Sequence, residues 1–244
     1  MKKIAIIIPS RLSAERLPNK PLKLIKNKEM ILHVYDIAKK SNVGEVLVAT
    51  PDEEILNLVK THNGQAILTS DKHQTGTDRV FEVFENTLKS KPEVIINFQG
   101  DMPNLNQNAI KELATHMKKN LCDIATLASS FENKDEEKDP NVVKVLASHE
   151  IKNKIFSKTL DFFRTSNKTL DKLVYHHVGI YAFTNKALIR YVSLKRSKLE
   201  IERKLEQMRA LENQMNIDVG YINTCPLSVD TEKDLETIRE MMKN

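Results

Sequence analysis

The sequence predicts an α/β protein, a three-layer α/β/α arrangement around a mostly parallel sheet. Three observations predict it. Short apolar runs, suited to strands buried on both faces, alternate with segments whose apolar residues recur at helical spacing. Through the first half of the chain the order is β-α-β-α-β-α-β-α, which favours parallel strands joined by helical crossovers. The chain has 244 residues and is 40% hydrophobic, enough for a sizeable core without disulfides or a structural metal.

Ile4–Pro9 is the first strand, followed by a loop rich in charge and proline that runs to Pro21. Met30, Ile31, Val34, Ile37 and Ala38 mark a helix over Met30–Lys40, and Glu45–Ala49 reads as a strand. The next helix has a start signature: Thr50 to cap, Pro51 at the first helical position and Glu53 to complete a capping box. Gly64 is its stop. Ala66–Thr69 is a strand, and Val80, Phe81, Phe84 and Leu88 line a helix. Val94–Phe98 is a strand, and Ala109, Ile110, Leu113 and Met117 mark the helix after it.

The second half is less regular. Ile124–Phe131, Val142–Leu146, Lys154–Phe156 and Val174–Phe183 read as strands with little helix between the first three, which suggests an antiparallel element or an extension for subunit contact. Asn133–Pro140 and Arg164–Leu173 read as loops, and Leu199–Gln214 as one long amphipathic helix. Ile217–Asn223 is a strand, and Thr231 opens a last helix with Leu235, Ile238 and Met242 on one face. With no internal repeat and no low-complexity linker, residues 1–244 read as a single domain.

Bulk properties exclude several classes of function. The net charge is +5, but the lysines are dispersed and aromatic residues are few, so nucleic-acid binding is not expected. The two cysteines, Cys122 and Cys225, form no ligand pair and suit a reducing compartment. Ile4–Ile8 is too short for a signal-peptide core, and no apolar stretch is long enough to span a bilayer. A cytoplasmic enzyme without membrane contact is therefore expected.

In open parallel sheets, ligands bind beyond the carboxyl ends of the strands. That rule selects the loops Ser10–Pro21, Thr50–Glu53, Ser70–Arg79, Gly100–Asn106 and Ser228–Asp234. The first carries Arg11, Arg16 and Lys20, cations suited to a polyphosphate, stiffened by Pro18 and Pro21. It has neither G-x-G-x-x-G nor G-K-S/T, so it is not a dinucleotide fingerprint or a P-loop; read alone, it also fits a solvated basic loop. Asp101, after Gly100, and Asp230, before Thr231, would each sit at the sheet's carboxyl edge and could hold Mg²⁺ together. Taken singly, each is equally a turn or helix-start acid. Thr75, Thr77 and Arg79 could read a base edge, with Thr77 alternatively an N-cap. His177, Gly179 and Tyr181 alternate along a strand and share one face, where a histidine beside a tyrosine could bind a polyol or carboxylate.

These residues belong to motifs with a family resemblance. Ile8-Pro9-Ser10-Arg11 followed by Arg16-Leu17-Pro18-Asn19-Lys20-Pro21-Leu22 closely resembles the N-terminal signature of the 3-deoxy-manno-octulosonate (Kdo) cytidylyltransferases. Gln74–Arg79, Asn97–Asp101, Pro140–Val145, His177–Tyr181, Leu205–Arg209 and Val229–Thr231 follow in that family's order, so the resemblance covers essentially the whole chain. It implies a nucleotide-diphospho-sugar transferase-like fold with an antiparallel dimerisation extension. Residues 1–130 would be the nucleotide-binding half and 131–198 a strand-rich sugar and dimer region. The implied reaction is transfer of CMP from CTP to Kdo, giving CMP-Kdo and pyrophosphate, with Mg²⁺, in a homodimer that supplies lipopolysaccharide biosynthesis.

Carried over by position, Arg16, Lys20 and Asp101 look catalytic. Pro9, Arg11, Arg16, Lys20, Thr75, Thr77 and Arg79 look nucleotide-binding. Gln99, His177, Tyr181, Glu206 and Gln207 look like the sugar-acid site, and Asp101 and Asp230 like the metal ligands. Four positions depart from the family pattern: Met102 in place of an acid, Lys158 in place of arginine, Pro51 in place of the acid directly after Thr50, and Ser228 in place of glycine. They leave an amino-substituted Kdo or a sialic acid as alternative acceptors.

Overall fold

Ile4–Pro9 is buried at every position and forms β1 in a computed structural model of the chain, which describes residues 3–13, 16–88, 91–119, 121–152, 155–165 and 172–243. After β1 come a 3-10 turn (Lys20–Leu22), β2 (Leu24–Ile25), β3 (Lys28–Glu29), α1 (Met30–Ser41), β4 (Glu45–Thr50) and α2 (Glu53–Thr61). Next are β5 (Ala66–Leu68), α3 (Gly76–Asn86), β6 (Val94–Phe98) and α4 (Gln107–Met117). The predicted alternation of strand and helix therefore stands. The β2–β3 hairpin was not predicted; Lys26 and Asn27 turn it with φ of 49° and 58°, left-handed values that only the asparagine favours.

The chain divides into two compact units, Met1–Lys111 with Pro226–Asn244, and Glu112–Cys225. In the first, the strand order is β5-β4-β1-β6, and every pairing is parallel. From β1 the chain moves outward through β4 to β5, then crosses back to place β6 on the other side of β1. That reversal is a topological switch point, where loops leave β1 and β6 in opposite directions and open a crevice for a ligand. The two loops are those carrying Ser10–Lys20 and Gln99–Asp101.

The second unit contains β7 (Ile124–Ser129), α5 (Lys134–Lys138), β8 (Lys144–Ala147), β9 (Ser157–Phe163), β10 (Val174–Thr184), α6 (Asn185–Ser193), α7 (Lys198–Arg203), α8 (Gln207–Glu212) and β11 (Ile217–Tyr221). Its strands run β10-β7-β11-β9-β8, and β8 pairs again with β10, so the circuit closes on itself. Only β7–β11 is parallel; the other pairings are antiparallel, in line with the expected antiparallel element. Lys144 is fully buried, and its ammonium donates to the carbonyls of Asp139 (2.6 Å), Val142 (3.0 Å) and Arg164 (2.8 Å). Three N–H donors meet three carbonyls, which offsets the cost of burying the group and pins this loop. In the first unit, α9 (Glu232–Met241) opens with a capping box of Thr231 and Asp234.

Several local readings are corrected. Helix α2 starts after Asp52, not at Thr50: Thr50 stays in β4, and its hydroxyl accepts from Asp52 N (3.1 Å). The left-handed residue beyond α2 is Asn63 (φ 58°), while Gly64 is needed for close approach, since a Cβ there would lie 2.7 Å from Val59 Cγ1 and 2.9 Å from Val59 O. Leu199–Gln214 is two helices, α7 and α8, because Lys204 turns left-handed (φ 54°) between them without any Gly or Pro to announce it. Asn133 caps the short helix α5 inside the predicted loop, and α6 was not predicted. The predicted strand Lys154–Phe156 begins outside the described residues; the described strand starts at Ser157. Most of the predicted loop Arg164–Leu173 also lies outside them.

Candidate active site

The basic loop is held from beneath by packing. Leu17 is buried with Ile25, Met30, Val229, Leu235 and Ile238, so the loop after β1 and the segment entering α9 share one small core. Asn19 takes a left-handed turn (φ 56°), and Lys20 and Pro21 start the 3-10 turn behind it. Val229 N donates to Asp101 O (2.9 Å), which ties the segment before α9 to the loop after β6. These constraints bring three predicted residues together: Lys20 Nζ lies 3.2 Å from Asp101 Oδ2 and 3.0 Å from Asp230 Oδ1. Arg16 Nη2 lies 3.1 Å from the other oxygen of Asp230.

Burial disfavours the charge on Lys20, but the carboxylates of Asp101 and Asp230 outweigh it and hold its pKa above the ordinary lysine value. The ammonium marks a point where both carboxylates converge on one cation. Two hard oxygen donors meeting at such a point are the donor set a magnesium ion uses when substrate phosphates complete its coordination. The residues present therefore fit the expected metal.

Beside them lies a cradle with little side-chain bulk. A Cβ on Gly76 would stand 3.2 Å from Pro9 Cγ and 3.3 Å from Gln99 Oε1, and one on Gly100 would stand 3.2 Å from Pro9 O and 3.6 Å from Ser10 Oγ. Both glycines let the chain pack closely against the end of β1. Gln99 Nε2 donates to Asn97 Oδ1 (2.8 Å), and Asn97 Nδ2 donates to Thr77 Oγ1 (3.3 Å), so a relay orients the glutamine. Thr75, not Thr77, caps α3: its hydroxyl accepts from Asp78 N (3.2 Å). Arg11 is exposed. The buried Arg79 donates to Thr69 Oγ1 and to Ser70 O (3.0 Å), and burial and then the charge of Arg11 hold its pKa below the ordinary arginine value.

Sequence reasoning missed three residues here. Ser10 Oγ is buried and has no hydrogen-bond partner among the described residues. Asp52 Oδ2 accepts from Leu12 N (2.8 Å) and braces the basic loop from the end of β4. Asn97 orients Gln99. Ser10 and Asp52 carried a signal, because each lies in a loop selected by the strand-end rule, and Asn97 opens one of the resembling motifs, but no role was read for any of the three. Of the departing positions, Met102 is buried in the core, while Lys158 and Ser228 are exposed.

The second unit groups the other predicted residues. His177 and Tyr181 do share a face, with ring centroids 5.5 Å apart, and Phe162 meets His177 edge-on at 5.0 Å. Burial, then the neighbouring His176, push the His177 pKa down to about 3, so the ring is neutral. Burial raises the Tyr181 pKa, and the nearby Glu206 charge adds to the rise. The turn into α8 that carries Glu206 and Gln207 is anchored twice. Tyr191 donates its hydroxyl to Glu206 O (2.9 Å), and Arg209 Nε donates to Glu200 Oε2 (2.8 Å) in a buried ion pair.

A family model described as Cytidylyltransferase matches residues 5–217. The chain is similar to the 3-deoxy-manno-octulosonate cytidylyltransferase of Bartonella tribocorum, 40% identical over 241 residues that cover 97% of each chain. It is 39% identical over 244 residues to the protein of the same name from a Bradyrhizobium species, covering 98% of this chain and 97% of that one. Among solved structures it is similar to a CMP:2-keto-3-deoxy-manno-octonic acid synthetase complexed with CTP, with a TM-score of 0.89, 34% identity and 98% of each chain covered. A likeness to a 4-diphosphocytidyl-2C-methyl-D-erythritol synthase from Anaerococcus prevotii, with a TM-score of 0.68 at 12% identity over 100% of this chain and 99% of the other, speaks for the fold alone.

Proposed function

This chain belongs to the 3-deoxy-manno-octulosonate cytidylyltransferase family, and from that membership we propose that it transfers CMP from CTP to Kdo, releasing pyrophosphate. The observation that carries the reading is the convergence of Lys20, Asp101 and Asp230 at the carboxyl end of β1 and β6. A cation bridging two carboxylates, beside a glycine-lined cradle and a basic loop, suits a nucleoside triphosphate and its divalent ion.

In the proposed reaction the anomeric hydroxyl of the sugar acid attacks the α-phosphorus of CTP. A new P–O bond forms, the bond from the α-phosphorus to the oxygen bridging to the β-phosphate breaks, pyrophosphate leaves with the electron pair, and the hydroxyl's proton passes to solvent. Arg16 and Lys20 bind the phosphates and neutralise the charge that develops on the leaving group. The cradle of Pro9, Gly76, Gln99 and Gly100 receives the nucleotide, with Thr75 and Thr77 at its edge and Arg11 exposed beside it. Arg79 holds the loop after β5 through Thr69 and Ser70, so its part in nucleotide binding is to shape the site. Asp101 and Asp230 are the residues that would hold magnesium, whose chemistry when bound is to neutralise phosphate charge and acidify the attacking hydroxyl. His177, Tyr181, Glu206 and Gln207 bind the sugar acid.

No helix in the described residues is long and apolar enough to cross a membrane, and a cytoplasmic homodimer feeding lipopolysaccharide biosynthesis is the setting this reading implies. The test is pyrophosphate release with CTP and Kdo, run against other nucleoside triphosphates, an amino-substituted Kdo and a sialic acid. Turnover highest with CTP and Kdo is expected; faster turnover with another sugar acid reassigns the acceptor, and no release with any pair overturns the reading.

A further inference from the structure

We propose that Thr126 is a positioning residue that holds His177 as its Nε2–H tautomer, so that Nδ1 accepts a hydrogen bond from a hydroxyl of the sugar acid. The proposal rests on the reading of His177 as a sugar contact. Thr126 lies in β7, opposite Tyr181 of β10. The pairing jumps from Val178↔Leu127 to Tyr181↔Thr126, so Gly179 and Ile180 bulge out of register. The Thr126 hydroxyl fills the bulge: Oγ1 lies 2.8 Å from Ile180 O, 3.2 Å from Val178 O and 2.9 Å from His177 Nε2.

Counting protons then assigns the ring. A hydroxyl has one proton to donate, and carbonyl oxygens only accept. The proton of Thr126 is therefore taken by the backbone, and none remains for the imidazole. The contact with His177 is a hydrogen bond only if Nε2 carries the hydrogen and Oγ1 accepts it. A neutral ring protonated at Nε2 has its lone pair on Nδ1. The buried surroundings keep the ring neutral, and Phe162 and Tyr181 fix its plane from two sides. A carboxylate has no proton to offer such a nitrogen. His177 thus reads a hydroxyl of the acceptor, and the acid group of the sugar must be met elsewhere.

The bulge matters for the same reason. It spends four residue steps of β10 against two of β7, so His177 and Tyr181 stay on one face although the pairing is irregular. Among the described residues, apart from Gly179 and its two chain neighbours, no atom lies within 4 Å of where a Cβ on Gly179 would stand, which leaves room at the bulge.

The experiment compares Thr126→Val, which keeps the shape and loses the hydroxyl, with Thr126→Ser, which keeps the hydroxyl. The full-length protein is labelled with ¹⁵N in its histidine rings, and the His177 signals are assigned with His177→Gln. In the parent protein and in Thr126→Ser, the Nε2–H tautomer is expected; in Thr126→Val the two tautomers mix. The KM for Kdo should rise about tenfold in Thr126→Val, the worth of one hydrogen bond, while the KM for CTP stays within about twofold. Thr126→Ser should restore the Kdo value to within about threefold. An Nδ1–H tautomer in the parent protein, or a Thr126→Ser variant as impaired as Thr126→Val, overturns the assignment. If the tautomer is as expected but His177→Gln leaves the KM for Kdo unchanged, the reading of His177 as a sugar contact fails, and the proposed hydroxyl contact fails with it.

Discussion

Replacing Lys20 by methionine keeps the length of the side chain and deletes its charge, and its consequences separate into two parts. In the structure Nζ joins Asp101 at 3.2 Å and Asp230 at 3.0 Å, with the lysine side chain only 16% exposed and the carboxylates 24% and 38% exposed. Partly exposed ion pairs are worth roughly 0.2–1 kcal/mol each, so losing both costs the fold about 0.4–2 kcal/mol. At about 2–4 °C per kcal/mol for a chain of this size, Tm falls by about 1–8 °C. The raised pKa sets the pH window. A group whose folded pKa lies above its unfolded value, about 10.4 for lysine, contributes fully below that value and loses its contribution as pH rises through the folded pKa. The difference in Tm between parent and variant should therefore be flat from about pH 6 to pH 9 and shrink only in strong alkali.

The chemical cost is larger. If Lys20 neutralises the leaving pyrophosphate, removing it takes away a preorganised cation, for which roughly 10²–10³ in rate is the usual scale. The assay is pyrophosphate release with CTP and Kdo at saturating magnesium, read as kcat/KM, beside a thermal melt of the same sample. A drop of at least about a hundredfold with a modest Tm shift supports the assignment. A folded variant within about threefold of the parent refutes it, since a positioned charge at the reacting phosphates is not that dispensable.

Three further outcomes follow from the same geometry. Asp101→Asn should lower kcat/KM by about a hundredfold and move the magnesium midpoint upward by about tenfold, with EDTA abolishing turnover of the parent; an unchanged magnesium titration removes Asp101 from the metal site. Ser10→Ala should raise the KM for CTP by about three- to tenfold with kcat little changed, because the buried hydroxyl next to Gly100, without a partner among the described residues, would donate to the nucleotide; equal KM values would leave Ser10 with a packing role. Glu200→Gln strands the buried Arg209 and should cost about 3–5 kcal/mol, seen as a Tm loss of about 6–20 °C. Burial opposes the charge on Glu200, but the hydrogen bond from Arg209 wins and depresses its pKa. Its contribution is present above the unfolded value of about 4.3 and is lost as pH falls through the folded value, so parent and variant should converge in acid.

The sequence by itself determined the strand–helix alternation and the kinds of residue at the strand ends. Ile4–Pro9 and Val94–Phe98 were legible with their boundaries, because a strand buried on both faces is mostly apolar, and in the second strand Asn97 alone breaks the run. The basic loop and the two aspartates could be picked out because the ends of such strands are where ligands sit. Helix ends were less legible. Thr50 and Glu53 have the local signature of a capping box, yet Thr50 remains in its strand, and Asp52 turns its carboxylate to Leu12, 40 residues away. The break at Lys204 was hidden because apolar periodicity continues through one left-handed residue. Only the tertiary structure decided that Lys20 lies between Asp101 and Asp230, 81 and 210 residues along the chain, that Arg79 is committed to Thr69 and Ser70, and that Thr126 holds the ring of His177. Each depends on packing and hydrogen bonds between distant segments. A local pattern fixes which way a side chain leaves its own helix or strand, and what it meets there is set by how the other elements fold against it.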